Sequence, residues 1–204
     1  TISFGSGITT SDIVVQRSPG DPYSLLITNT LDGGSMEVIG QFADPMMQVE
    51  QFVFADSTVW TAEDIRSQIL ESLETAGDDE IVGFYNDDEI RGGAGEDSIY
   101  GEEGDDVIYG GGGDDFLSGG EGDDTFVFAP GDGYDWIVDF TAGAGTGDII
   151  DLTALTGFDD LTDVLNSAFE ISGATILDFG NDEGIGLAGV TLSTLHADDF
   201  RFAA

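Results

Sequence analysis

Aspartate recurs every nine residues through the middle of the chain, at Asp79, Asp88, Asp97, Asp106, Asp115 and Asp124. Two residues after each stands a large apolar side chain: Ile81, Ile90, Ile99, Ile108, Leu117 and Phe126. Glycine crowds the residues just ahead of most of these aspartates, and glycine permits positive φ and lets backbone carbonyls approach where a side chain would block them. Carboxylates and carbonyls gathered in this way form an all-oxygen donor set, which suits a hard cation. Calcium accepts six to eight oxygens at roughly 2.3 to 2.6 Å in irregular geometry, whereas magnesium demands a tighter octahedron and keeps its waters, so calcium is the better fit. Acid-base catalysis by neighbours such as Asp78 and Asp79 is the competing chemistry. Recurrence of the same acidic pair along the segment points instead to metal binding. Neither GxSxG nor HExxH occurs, and the lone His196 is assigned no role, so the segment reads as non-enzymatic.

From residue 74 the chain divides without a gap into ETAGDDEIV, GFYNDDEIR, GGAGEDSIY, GEEGDDVIY, GGGGDDFLS and GGEGDDTFV. The last three residues of each unit suit a short strand whose apolar position eight points inward, making a thin core that no single unit could close. Two units make one coil, so a loop stacks on the loop two units later. Glycine- and aspartate-rich tracts are often solvated linkers. A linker has no reason to keep a large apolar residue at every ninth position.

These units resemble the GGxGxDxUx nonapeptide of the RTX (repeats-in-toxin) haemolysin-type calcium-binding family, in which U is a large apolar residue. The resemblance implies an all-β fold built on a right-handed parallel β-roll, with about four calcium ions between stacked loops and room for more at the ends. It further implies that the earlier loop of each pair gives the carbonyls of positions two and four with its aspartate, and the later loop those of positions one and three with its own. The first site would then use Thr75, Gly77, Asp79, Gly92, Ala94 and Asp97, and the second Phe84, Asn86, Asp88, Gly101, Glu103 and Asp106. The third would use Gly93, Gly95, Asp97, Gly110, Gly112 and Asp115, and the fourth Glu102, Gly104, Asp106, Gly119, Glu121 and Asp124. Thr75, Phe84, Asn86 and Glu102 replace glycines of the pattern. Asn tolerates the left-handed conformation, which makes Asn86 a mild change. Full occupancy is least expected at the N-terminal edge. Gly131 to Ile137 matches positions two to eight, with Asp135 eleven residues after Asp124, as a seventh, distorted loop.

Three segments position these loops: a β-rich flank over 1–73, the roll over 74–127 and a C-terminal cap over 128–204. In the first, Ile13–Val15, Ser24–Thr28, Met36–Ile39 and Gln51–Phe54 read as strands separated by turns at 19–22, 32–34 and 43–45. Thr61 with Asp64 caps a helix carrying Ile65, Ile69, Leu70 and Leu73 on one face. Val49 to Ile65 resembles the segment found ahead of such repeats in haemolysin-type proteins. Behind the roll, 135–140 and 147–152 alternate polar and apolar residues, as expected of strands covering its open end. One or two short helices complete the expected fold. Trp60, Trp136 and the phenylalanines read as core and cap packing rather than a sugar-stacking surface.

Composition bounds the partners. Against 42 acidic residues stand only four basic ones, a formal charge of -38 over 204 residues. Self-repulsion opposes compaction unless cations offset it, and nucleic acid and acidic membranes carry the wrong sign to bind. With no cysteine there are no disulfides or thiolate sites, and no stretch has the roughly 20 apolar residues of a membrane span. The start at Thr1 suggests a piece of a longer protein. The tail Ala197–Ala204 resembles the acidic-then-apolar ends read by type I secretion machinery, and equally suits a last strand. The expectation is a secreted or cell-surface module that folds on extracellular calcium and serves the N-terminal domain of a parent protein. Its rivals are the tail of a secreted protease, lipase or polysaccharide epimerase, and the stalk of an adhesin.

Overall fold

A computed structural model describes residues 1–19, 21–42, 49–145 and 147–203. The turn expected at 43–45 and Gly20 of the turn expected at 19–22 lie outside the described residues. Internal contacts divide the chain into two units, Thr1–Ser72 and Leu73–Ala204.

In the first unit the β-branched runs become strands because alternation lets one face be buried. The strands are β1 (Ile2–Ser3), β2 (Ile13–Ser18), β3 (Asp21–Asn29), β4 (Ser35–Val38), β5 (Gln51–Val53) and β6 (Val59–Thr61). β2, β3 and β4 form an antiparallel sheet that buries Ile13, Val15, Leu25 and Ile27. β5 pairs parallel with β1 and antiparallel with β6. Phe54 lies between Phe4 and Trp60, with ring centroids 4.8 and 4.7 Å away, so Trp60 is a packing residue. α1 (Ala62–Glu71) starts as the sequence indicates: Thr61 Oγ1 accepts from the Asp64 N–H, and Asp64 Oδ2 accepts from the Thr61 N–H. Ile65, Ile69 and Leu70 are buried on its inner face, while Leu73 lies beyond the helix end.

The second unit contains the repeats. Its first strands are β7 (Glu80–Val82), β8 (Glu89–Ala94), β9 (Ser98–Glu103), β10 (Val107–Gly112), β11 (Phe116–Glu121) and β12 (Thr125–Val127). Alternate strands fall into two parallel sheets, one ordered β8-β10-β12 and the other β7-β9-β11. The position-eight residues sit in register along each sheet, Ile90 against Ile108 against Phe126, and Ile81 against Ile99 against Leu117. All six are wholly buried, which accounts for the apolar column in the sequence. β8 to β11 are longer than the three residues expected of each unit, because they continue through the glycines into positions one to three of the next, whereas β7 and β12 keep to three.

Beyond the last repeat the seventh loop expected at Gly131 to Ile137 is present, but the expected covering of the open end by 135–140 and 147–152 is not. β13 (Tyr134–Ile137) and β14 (Ile149–Asp151) do not cover the end of the roll; they extend it, pairing parallel with β11 and β12. Ile137 registers with Leu117 and Ile150 with Phe126, so each supplies the inward residue that an added rung needs. Covering falls to later elements: α2 (Leu161–Ser167), β15 (Ala168–Ile171), β16 (Ala174–Gly180), β17 (Glu183–Ala188) and β18 (Phe200–Arg201). β17 runs parallel beside β13, then β16 and β15 turn antiparallel, which ends the row of parallel strands. β18 pairs with β14, and Arg201 Nη1 binds Asp151 Oδ2 at 2.8 Å. Gly184 and Gly186 leave room for the rings of Tyr134 and Trp136, since a Cβ at either would lie 2.8 Å from a ring atom. The described residues are therefore all-β with two short α-helices, and their centre is a parallel β-roll.

Candidate metal centre

The position-six aspartates form a ladder along the roll. Asp79 N–H donates to Asp97 Oδ1, Asp88 to Asp106, Asp97 to Asp115 and Asp106 to Asp124, at 2.8 to 2.9 Å and always 18 residues apart. The same bond continues past the repeats, from Asp115 N–H to Asp135 Oδ1 and from Asp124 N–H to Asp148 Oδ1. Each carboxylate thus reaches back to the preceding coil. Stacking every second loop, as read from the sequence, is the arrangement found.

The second oxygen of these aspartates separates the loops into two kinds. Asp79 Oδ2 accepts from the N–H and Oγ1 of Thr75, and Asp88 Oδ2 accepts from the N–H of Phe84, each within its own loop. In the next four loops Oδ2 of Asp97, Asp106, Asp115 and Asp124 is buried and accepts no hydrogen bond. These aspartates are no more than 2% exposed. An ionised oxygen buried without a partner is expensive, and the usual remedies are a proton or a cation.

Position two explains the difference. Gly93, Glu102, Gly111 and Gly120 all take positive φ there, between 83° and 104°, whereas Thr75 and Phe84 do not. A side chain disfavours that conformation, so the first two loops keep the ordinary one and present their N–H to their own aspartate. The left-handed conformation expected at Asn86 is not adopted either; Gly77 and Asn86 lack the positive φ of Gly95, Gly104, Gly113 and Gly122 at position four.

Main-chain oxygens complete the surroundings. A Cβ added to Gly92 would meet both Gly110 O and Asp97 Oδ2, and one added to Gly101 would meet Gly119 O and Asp106 Oδ2. Glycine at position one therefore lets a carboxylate oxygen and a carbonyl of the next coil converge. The carbonyls of Gly112 and Glu121 accept from the N–H groups of Gly95 and Gly104 at 2.8 and 2.9 Å, which leaves each a second lone pair. Thr75 and Ala94 also come together, through the Ala94 N–H on Thr75 O at 3.3 Å, and Gly104 closes on the Asn86 peptide. Gly93, Gly95, Glu102 and Glu103 lie on the same stacked loops. Among the described residues no three His, Cys, Asp or Glu side chains cluster as a metal site, so any ion here depends on main-chain oxygens beside the aspartates.

Burial raises the carboxyl pKa values, and neighbouring aspartates add to it, against the lowering effect of the ladder hydrogen bonds. Asp106 is pushed up to about 7, Asp115 and Asp124 to about 6, and Asp135 to about 8. Asp97 and Asp148 move the same way for the same first cause. All resist ionisation without a compensating positive charge, and calcium supplies one with a preference for oxygen donors.

A second ladder escaped the sequence reading. At position five the carboxylates reach forward: Asp78 Oδ1 accepts from Glu96 N–H, Asp87 from Asp105, Asp105 from Asp123 and Asp114 from Tyr134. The signal was present as an acid at position five of every unit. Asp148 was also missed as a loop residue, although Asp148-Ile149-Ile150 repeats the D-x-U ending without the glycine spacing.

A block of stacked, oxygen-lined glycine loops between two parallel sheets defines a calcium-binding β-roll module. The profile of the RTX calcium-binding nonapeptide repeat matches in four copies, over residues 75–99, 91–126 and 100–137. The haemolysin-type calcium binding protein related domain matches residues 25–64, starting upstream of the flank segment noted in the sequence. Among solved structures, the AlgE6R2 subunit of the Azotobacter vinelandii mannuronan C5-epimerase is 31% identical, covering 63% of this chain and 90% of that one at a TM-score of 0.52. The AlgE6R3 subunit of that epimerase is 33% identical, covering 62% and 79% at 0.47. The extracellular lipase LipA from Serratia marcescens is 19% identical, covering 99% of this chain and 34% of that one at 0.39. No curated protein sequence matches the chain. The chain belongs to the RTX haemolysin-type calcium-binding repeat family.

Proposed function

We propose that the chain is a non-catalytic module of a larger secreted protein, exported by type I machinery with its roll unfolded and folded outside by calcium. Its working division is a flank over 1–73, a roll over 74–127 and a C-terminal segment over 128–204 whose first two strands prolong the roll and whose later elements cap it. Calcium sits between loops two units apart, held by position-six aspartates with a bare second oxygen and by the carbonyls of positions one to four. The observation that carries this reading is the row of buried, unpartnered carboxylate oxygens at Asp97, Asp106, Asp115 and Asp124. With a net charge of -38, a calcium-free chain resists bringing these groups together.

Linkage gives the switch its size. An ion present at about a thousand times its dissociation constant stabilises the folded state by roughly 4 kcal/mol, and several coupled ions multiply that effect. Extracellular calcium modules bind with dissociation constants on the order of 0.1 to 1 mM, which suits a switch that stays off inside the cell. Circular dichroism during a calcium titration tests the reading. A cooperative gain of β-structure is expected, and an equal response to magnesium would sink the argument from irregular oxygen coordination.

A second reading, that the module assists substrate binding by a secreted enzyme, is favoured by its likeness to the epimerase subunit. Glycan or polysaccharide retention by the calcium-loaded chain would support it.

A further inference from the structure

This inference rests on the calcium reading above and concerns which loop pairs hold the ions. The nonapeptide spacing points to Asp79/Asp97, Asp88/Asp106, Asp97/Asp115 and Asp106/Asp124. The hydrogen bonds mark a different set. A pair suited to an ion has a later aspartate whose Oδ1 is held by the earlier N–H, and an earlier aspartate whose Oδ2 is buried and bare. Asp97/Asp115, Asp106/Asp124, Asp115/Asp135 and Asp124/Asp148 meet both conditions. Asp79/Asp97 and Asp88/Asp106 meet only the first, because Thr75 and Phe84 occupy the earlier Oδ2.

The loop ending at Asp135 reproduces its neighbours despite two extra residues. Gly131 and Gly133 take positive φ as at positions two and four, and Asp132 O accepts from Gly113 N–H at 2.8 Å, as Gly112 O does from Gly95 N–H. Tyr134 N–H reaches Asp114 Oδ1 at 2.9 Å, continuing the position-five ladder. The loop ending at Asp148 is longer, 24 residues after Asp124, yet it places its carboxylate on the Asp124 N–H in the same way. Thr141 N–H fixes Asp148 Oδ2, and Asp139 accepts from Ser118 Oγ and from the N–H groups of Gly119 and Gly120, bracing the loop that carries Asp124.

We propose that the row of calcium ions is displaced toward the C-terminus, running from Asp97 to Asp148 through two loops outside the nonapeptide register, while the two N-terminal pairs are closed by the chain's own N–H groups. Asp148 becomes the last carboxylate of the row, and the backbone conformation at position two decides whether a loop takes an ion or satisfies itself.

Counting calcium per chain by equilibrium dialysis, on the full chain and its variants, decides the matter. Asp135→Asn and Asp148→Asn should each lower the count by one, while Asp79→Asn and Asp88→Asn leave it unchanged. The reverse pattern would overturn the displacement yet leave calcium binding intact, and no binding by the unmodified chain would overturn the calcium reading itself. Should the two C-terminal variants fail to fold, terbium(III) luminescence excited through tryptophan on the otherwise unmodified chain provides the readout. Trp136 adjoins Asp135, so Trp136→Phe should abolish the sensitised emission and Trp60→Phe should not. Emission that survives Trp136→Phe would exclude an ion at Asp135.

Discussion

The first two loops of the roll and the four that follow share a nine-residue plan and stack in the same ladder, yet differ at one carboxylate oxygen. In the first two, Thr75 and Phe84 turn their N–H groups onto Asp79 and Asp88. In the rest, a positive φ at position two turns that peptide away and leaves Oδ2 bare. A motif can therefore keep its aspartate and still change its chemistry. What matters is whether the neighbouring peptide competes with the ion for the same lone pair, and the backbone conformation at position two settles that competition.

The largest test of this contrast is Asp106→Ala against Asp79→Ala. Asp106 holds the Asp88 N–H in a buried bond and carries a bare Oδ2, whereas the bonds of the Asp79 carboxylate to Thr75 are exposed, where water replaces them at little cost. A hydrogen bond to a charged group contributes about 1.5 to 3 kcal/mol. Asp106→Ala should accordingly raise the calcium midpoint for folding by about 10- to 100-fold, and Asp79→Ala by a few-fold at most. Equal shifts would erase the distinction between the two kinds of loop.

A smaller effect is expected from pH. Folded-state pKa values of about 6 to 8 at Asp106, Asp115, Asp124 and Asp135 lie above the ordinary carboxylate value, so the folded chain holds more protons than the unfolded one between roughly pH 4 and 8. Calcium-free stability should then be present at acid pH and fall as pH rises through 6 to 8. Calcium affinity should change in the opposite direction, since the ion displaces those protons. Melting with a chelator at pH 5 and pH 8 measures the first effect. A higher melting temperature at pH 8 would contradict the burial of these groups.

The smallest effect belongs to Glu102, which adopts φ of 83° where its counterparts are glycine. Holding a non-glycine residue there costs on the order of 1 kcal/mol. Glu102→Gly should stabilise the calcium-loaded roll by about that amount in denaturant titration, less the entropy that glycine adds to the unfolded chain. Destabilisation would mean that the Glu102 side chain contributes more than its backbone conformation loses.

The repeat block was readable because period and burial coincide. A residue at every ninth position that must be inward, next to one that must carry charge, leaves two columns that no other fold explains as simply. α1 was readable for a local reason, the reciprocal cap of Thr61 and Asp64. What escaped depended on contacts rather than on spacing. Ile150 adds a rung because it meets Phe126, although its loop has lost the nine-residue count, whereas Ile137 on Leu117 was legible as position eight of a distorted seventh loop. β17 reads as a glycine-broken stretch until the Tyr134 and Trp136 rings are seen lying on Gly184 and Gly186. The orientation of the position-two peptide could be suspected from Thr75 and Phe84, but its effect on Oδ2 is a property of the folded loop alone.

The two aspartate ladders run in opposite senses, position six reaching backward and position five forward. Each finished coil consequently offers the incoming chain both something to donate to and something to accept from. Growth of the roll is then a copying process in which the last turn laid down is the mould for the next. Because 18 residues return the chain to the same sheet, the natural increment of length is a whole coil. An insertion of half that length would carry every later strand across to the opposite sheet.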